Sequence, residues 1–356
     1  MAMHVCPAAR PAHRAVRRVS CTSGSTPPSA PPSTTSPSPT GQPSADLPET
    51  PGPVTGRGVS LRPARRTRGH VGSTGATLVT LVNAGGDPSV DRIVAQLGLA
   101  DPVLLHDRRG TTFYRAGDAA LKITAEWMAG REGEVMRLLD TEFYRDHGWD
   151  GERSWLLLRR IDGTRLWDAL DGAHRGDDRP GTRRRILGMA AAAAYALAEL
   201  HAAGWAHGDL QPDHILYEGD RTHVIDLACA QGPADVPFYV HPGGIAHTLA
   251  PEIADAALTP GEHVTTTLPA DVWSLGASLW WSWTRTPPIA YTDPDAGRPG
   301  QLADIAAIRR TPASARPWPF PEFEELLMAC LASDPADRPT AKELIASVME
   351  TAERRH

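Results

Sequence analysis

The chain has 356 residues, 41% of them apolar, with a formal net charge of −6, which allows one large domain or two small ones. Its four cysteines, Cys6, Cys21, Cys229 and Cys330, include no close pair, which argues against a disulfide framework or a zinc site and fits a reducing cytosol. No apolar run reaches the roughly 18 residues of a bilayer span, and the N-terminal arginines precede no apolar signal core, so a cytoplasmic protein without a membrane anchor is expected.

In chain order, residues 1–75 read as a disordered tail. Between Thr22 and Thr55, 27 of 34 residues are Pro, Ser, Thr or Gly, too little apolar surface to offset the entropy of ordering. Nine arginines in residues 1–70 face only Asp46 and Glu49 as acids. The expectation is a solvated tail near its own acidic body, not a nucleic-acid ligand; translation starting near Val79 would leave it out. "TLVTLVNA" (77–84) predicts a strand. "DPSVDRIVAQLG" (87–98) predicts a helix capped by Asp87 with Pro88 in its first turn.

"PVLLHD", "TTFYRAG" and "AALKIT" predict three short strands joined by tight turns. "REGEVMRLLD" (131–140) predicts an amphipathic helix with Val135, Met136, Leu138 and Leu139 on one side. "WLLLRR" (155–160) predicts a strand ending at a turn or hinge, "IDG". A long helix then runs to Gly204. "THVIDLA" (222–228) predicts a strand, "ADVWSLGASLWWSW" (270–283) a central apolar helix, and two helices close the chain. Residues 286–318, rich in Pro and Arg, give no reading.

Only two basic side chains are lysines, Lys122 and Lys342. Lys342 fits an exposed helix face. Lys122 lies in an apolar strand, where a charge needs a partner. "HGDLQPDHIL" (207–216) followed by "VIDLA" (224–228) places Asp209 and Asp226 on neighbouring loops. One carboxylate suits acceptance of a hydroxyl proton, the other Mg²⁺ on a nucleotide phosphate.

On these motifs the chain resembles the eukaryotic-like (Hanks-type) serine/threonine protein kinases that bacteria also carry, over about residues 101–350. The resemblance implies an α+β bilobal fold: the tail at 1–75, a strand-rich N-lobe at 76–160 and a helical C-lobe at 161–350. It implies ATP and Mg²⁺ as cofactors. "AALK" resembles the strand motif in which Lys122 contacts phosphates and Ala120 packs on adenine; Gly110 and Leu216 join the implied nucleotide site. Glu132 stands where a helix glutamate pairs with that lysine, with Glu134 as the alternative. Asp209 takes the base position and Asp226 the metal position. "LAPE" with Glu252, "DVWSLG" with Asp271 and "DPADRPT" with Arg338 are similar to the architectural motifs of protein kinases. "HGD" instead leans toward antibiotic and metabolite kinases; the architectural set carries more weight.

Several letters depart from the pattern. Gly110 stands nearly alone where three spaced glycines are usual. Gly208 replaces the arginine that reads a phosphorylated activation segment. Gln211 replaces a phosphate-touching lysine. His214 replaces the asparagine of the second metal position, and imidazole suits Mn²⁺ better than Mg²⁺. Ile245 stands in place of a threonine. The expectation is ATP-dependent phosphoryl transfer to protein Ser or Thr through a reduced site. The alternatives are a pseudokinase acting as a binding module and a small-molecule phosphotransferase. The Ser/Thr-rich tail is an expected autophosphorylation target; no protein substrate is identifiable.

Overall fold

The computed structural model describes residues 87–108, 110–236, 245–259, 264–293, 295–310 and 316–354. The expected disordered tail and the strand over 77–84 lie outside the described residues.

Helix α1 (Pro88–Gln96) starts where the Asp87 carboxylate accepts from the Ser89 N–H at 3.0 Å, with Pro88 in its first turn, as the sequence predicts. There follow β1 (Val103–Arg108), β2 (Thr111–Ala116), β3 (Ala119–Thr124), α2 (Met128–Leu138), β4 (Tyr144–Trp149) and β5 (Ser154–Arg159). The five strands form one antiparallel sheet in the order β1-β2-β3-β5-β4. Strand alternation decides its two faces. Leu121 and Ile123 join Tyr114 and Trp155 under Val90 and Ile93 of α1. Lys122, between them in sequence, points the other way, toward α2.

Strand β4 was invisible to pattern reading: "YRDHGW" carries no apolar alternation. It forms because β5 offers an edge to pair with, a tertiary cause that overrides propensity. Helix α2 begins three residues before the predicted start. Its Val135 and Met136 are fully buried, but Leu138 is 43% exposed, against the expected apolar face.

Beyond the strand lobe come β6 (Thr164–Arg165), α3 (Leu166–Ala169), α4 (Asp171–His174), α5 (Pro180–Ala202), β7 (Ile215–Glu218), β8 (Arg221–Val224), α6 (Pro251–Ala257), α7 (Leu268–Thr284), α8 (Gly297–Ala306), α9 (Pro321–Cys330) and α10 (Ala341–Glu353). Strands β6, β7 and β8 form a small antiparallel sheet. Helix α5 ends near Gly204, whose φ of +79° suits glycine. The strand expected over 222–228 stops at Val224, because Asp226 turns into the left-handed region at φ +65°.

Helix α7 is the centre of the helical lobe. Thr267 caps it through the Ala270 N–H, and Trp273, Leu275, Ala277, Leu279 and Trp283 are buried along it. Each such large side chain contributes about 1.5–3 kcal/mol by leaving water. Gly276 lets α9 approach: a Cβ there would lie 2.5 Å from Cys330 Cβ. Helix α10, with its Thr340–Glu343 capping box, packs along α5. No described helix is long and apolar enough to cross a membrane.

Candidate active site

The site begins with Lys122. Buried on β3 at 6% exposure, its ammonium donates to Glu132 Oε2 at 2.7 Å and Asp226 Oδ1 at 2.9 Å. The glutamate that reaches it is Glu132; Glu134 pairs with Arg137 on the outside of α2. Glu132 also accepts from the Leu227 N–H at 3.2 Å. One glutamate thus ties strand, helix and the loop after β8 together. Burial opposes the charge on Lys122, but Asp226 and Glu132 outweigh it and hold the ammonium protonated well above the usual range. Burial raises Glu132. It also opposes ionisation of Asp226, but there Lys122 and His214 win and keep the carboxyl well below its usual range.

The second half is the loop "HGDLQPDH". Asp271, buried in the first turn of α7, accepts from the His207 N–H at 2.6 Å and the Gly208 N–H at 2.9 Å. His207 is fully buried. Its Nε2 meets the Ile225 carbonyl at 3.0 Å and its Nδ1 accepts from the Asp209 N–H at 3.1 Å. Burial lowers its pKa, so the ring is neutral and serves as a spacer. Asp209 is thereby presented from a rigid backbone. Burial pushes its carboxyl up to about 6, with Asp226 adding to the effect. The Gln211 amide nitrogen sits 3.4 Å from both Asp209 oxygens, so it contacts the carboxylate. His214 Nδ1 is 2.8 Å from the Asp209 carbonyl, and its Nε2 lies 3.6 Å from Asp226 Oδ2. The imidazole therefore bridges the two carboxylate loops.

Between the lobes lies a cleft of about 720 Å³. Ala120, Lys122, Glu132, His214, Leu216 and Asp226 all border it. Gly110 is not among its described walls. It occupies the β1–β2 turn at φ +76°, and the neighbouring Arg108 and Thr111 border the cleft instead. Pattern reading also missed Phe113, Leu158 and Ile161, the apolar walls, and Arg159, Arg160 and Arg165 at the rim. Alternation on β2, which puts Phe113 opposite Lys122 in register, was the signal that could have found the first.

Among the described residues no three His, Cys, Asp or Glu side chains converge on one point as a metal site. The donors that are present fit a metal completed by a ligand: Asp226 meets Lys122 through Oδ1, and its Oδ2 lies 3.6 Å from His214 Nε2. Mg²⁺ characteristically takes one or two protein carboxylates and fills the remainder with phosphate oxygens and water.

The structural motifs stand at their expected places. Arg338, its side chain wholly buried, makes a fork to Glu252 at 2.6 and 2.8 Å. Ser278 on α7 reaches the Leu210 carbonyl at 3.5 Å.

Comparison with known proteins agrees with this arrangement. The sequence model of the protein kinase domain matches residues 134–349. The probable serine/threonine-protein kinase PkwA of Thermomonospora curvata is 31% identical over 194 residues, 54% of this chain and 24% of that protein. Serine/threonine-protein kinase PAK 4 of Mus musculus is 28% identical over 197 residues, 55% of this chain and 30% of that protein. Serine/threonine-protein kinase PAK mbt of Drosophila melanogaster is 26% identical over 194 residues, covering 54% and 28% respectively. The matched regions thus span about a quarter to a third of these relatives. The family match opens at Glu134, after Lys122 and Glu132, so the match itself does not include those two residues. A match over more than half of the sequence, on a fold with a strand-rich lobe and a helical lobe, means that this chain belongs to the protein kinase domain family.

Proposed function

We propose that the protein transfers the γ-phosphoryl group of ATP to serine or threonine hydroxyls of a protein, with Mg²⁺ or Mn²⁺. The observation that carries this reading is the buried Lys122 held between Glu132 and Asp226, with Asp209 linked to the same point through His214. Lys122 would contact the α- and β-phosphates, between the apolar walls Ala120 and Leu216. Asp226 would hold the metal, whose chemistry is to neutralise charge on the phosphate oxygens.

Asp209 would accept the proton of the attacking hydroxyl. Its raised pKa, about 6, suits a general base working near neutrality, since it lies close to the operating pH while leaving the group mostly ionised there. The Gln211 amide, near both Asp209 oxygens, would orient that carboxylate. It carries no charge to spread over the γ-phosphate, so slower transfer than with a lysine there is the expected consequence. The serine/threonine class of acceptor rests on the likeness to serine/threonine-protein kinases and on the intact Glu252–Arg338 and Asp271 contacts.

The test is incubation of the full chain with labelled ATP and Mg²⁺ or Mn²⁺, with and without generic protein substrates. Phosphoserine or phosphothreonine that disappears in Asp209→Asn supports the proposal, and label persisting undiminished in that variant overturns it. ATP binding without turnover would identify a nucleotide-binding pseudokinase. ATP consumption triggered only by an aminoglycoside, choline-like or sugar acceptor would identify a small-molecule kinase.

A further inference from the structure

Arg131 precedes Glu132 on α2 and is 4% exposed. Its guanidinium forks onto two backbone carbonyls. Nη1 donates to the Ala228 carbonyl at 2.6 Å and Nη2 to the Ala230 carbonyl at 2.7 Å. These carbonyls belong to the segment that leaves Asp226. The next residue, Glu132, accepts from the Leu227 N–H of the same segment. Two consecutive side chains of one helix therefore grip both the acceptors and a donor of residues 227–230. Only a planar fork spans two carbonyls in this way; a lysine would reach one.

The catalytic loop closes the other side. Ala206 and Gln231 exchange backbone hydrogen bonds of 2.7 and 2.9 Å. Gly208 has φ +77°, and a Cβ there would lie 2.8 Å from the Cys229 carbonyl oxygen. Any side chain at position 208 would displace the segment. The glycine is thus a steric requirement of the way residues 226–231 are seated, beyond its being the loss of an arginine.

The sequence of the segment adds an independent observation. Between Asp226 and Ala250 the only hydroxyl side chains are Tyr239 and Thr248, and Thr248 is buried at 3% exposure. A stretch that would be switched by phosphate on serine or threonine has almost nowhere to carry it.

We propose that Arg131 is a positioning residue that pins residues 226–230 between α2 and the catalytic loop, and that this clamp makes the seating of Asp226 independent of phosphate on the segment that follows. Phosphorylation commonly orders such a segment by creating a new arginine–phosphate contact. Here the arginine is already committed to backbone carbonyls, which need partners when buried. The consequence for rate rests on the phosphoryl transfer proposed above; the clamp itself does not.

The experiment is hydrogen exchange of the Leu227 and Gln231 amides in the full chain, before and after complete dephosphorylation verified by mass, alongside the kinetics. In the wild-type protein, phosphatase treatment leaves both exchange and rate unchanged. Arg131→Ala speeds exchange at these amides about tenfold or more while α5 stays protected. It lowers kcat about tenfold and shifts KM for ATP less than about threefold, because Lys122 and the cleft walls remain. Arg131→Lys recovers part of the protection. Should Arg131→Ala fail to fold, Gly208→Ala loosens the same two amides from the opposite side. Unchanged exchange in the folded variants, or a segment loosened by dephosphorylation, overturns the clamp. If the wild-type protein transfers no phosphate at all, the exchange still decides the clamp, and only the proposed function fails.

Discussion

Two buried ion pairs in this molecule have opposite designs. At Arg338 one guanidinium meets one carboxylate, Glu252, through two parallel bonds, and the carbonyls of Ala332, Pro269 and Ser333 fill its other donors. Charge is balanced and geometry is saturated. At Lys122 one ammonium serves two carboxylates, Glu132 and Asp226, with Asp209 close by. That cluster carries surplus negative charge out of water, and burial raises both Glu132 and Asp209. A buried pair built for structure closes on itself. The cluster at the cleft is left wanting a cation, which the metal–nucleotide complex proposed above would bring.

The largest expected effect that tests this contrast is on rate. Asp209→Asn lowers phosphoryl transfer about 10²–10⁴-fold by removing the base, measured as initial velocity at saturating ATP. Breaking the other pair works on stability instead. Glu252→Ala strands the Arg338 charge and costs about 3 kcal/mol, read by denaturant unfolding, while activity per folded molecule changes little. Equal losses of activity from both variants would erase the distinction between the two pairs.

A smaller effect is visible in pH. The folded pKa of Asp209 is raised from 3.8 to about 6, so its protonated form is the one the fold favours. Stability is lost as pH rises through that window, by about 2–3 kcal/mol at most. Asp209→Asn is therefore inactive yet more stable than the wild-type protein above about pH 6, an advantage that fades below about pH 4. Melting curves at pH 4 and pH 7 check this. The same group gives kcat/KM a rise from pH 5 to pH 7, because only the ionised carboxylate accepts a proton. The smallest effect concerns the metal: His214→Asn reduces any preference for Mn²⁺ over Mg²⁺ by about threefold or more, measured as the ratio of rates with each ion. An unchanged ratio removes the imidazole from the metal position.

The legible parts of this chain were those governed by local rules. Alternation around Lys122, the Asp87 cap, the apolar run of α7 and the spacing of Asp209 and Asp226 are each decided within a few residues. Strand β4 was missed because pairing with β5, not its own composition, makes it a strand. The strand over 222–228 was overextended because nothing in "VIDLA" announces a left-handed aspartate. Helix α8 lies in a stretch where Pro and Arg hid a periodic signal.

The sequence alone determined which chemical groups are available: one strand lysine, two loop aspartates, and the glutamate, aspartate and arginine of the architectural motifs. Tertiary structure alone decided their assignments. Glu132 and Glu134 sit two positions apart on one helix and so point to different sides; only the docking of α2 against β3 selects which meets Lys122. Arg131 looked like one of many arginines until the fold brought the Ala228 and Ala230 carbonyls to it across about 100 residues of chain. Local pattern specifies a side chain's face, but its partner depends on which distant backbone is packed there, and burial then sets the strength of the contact.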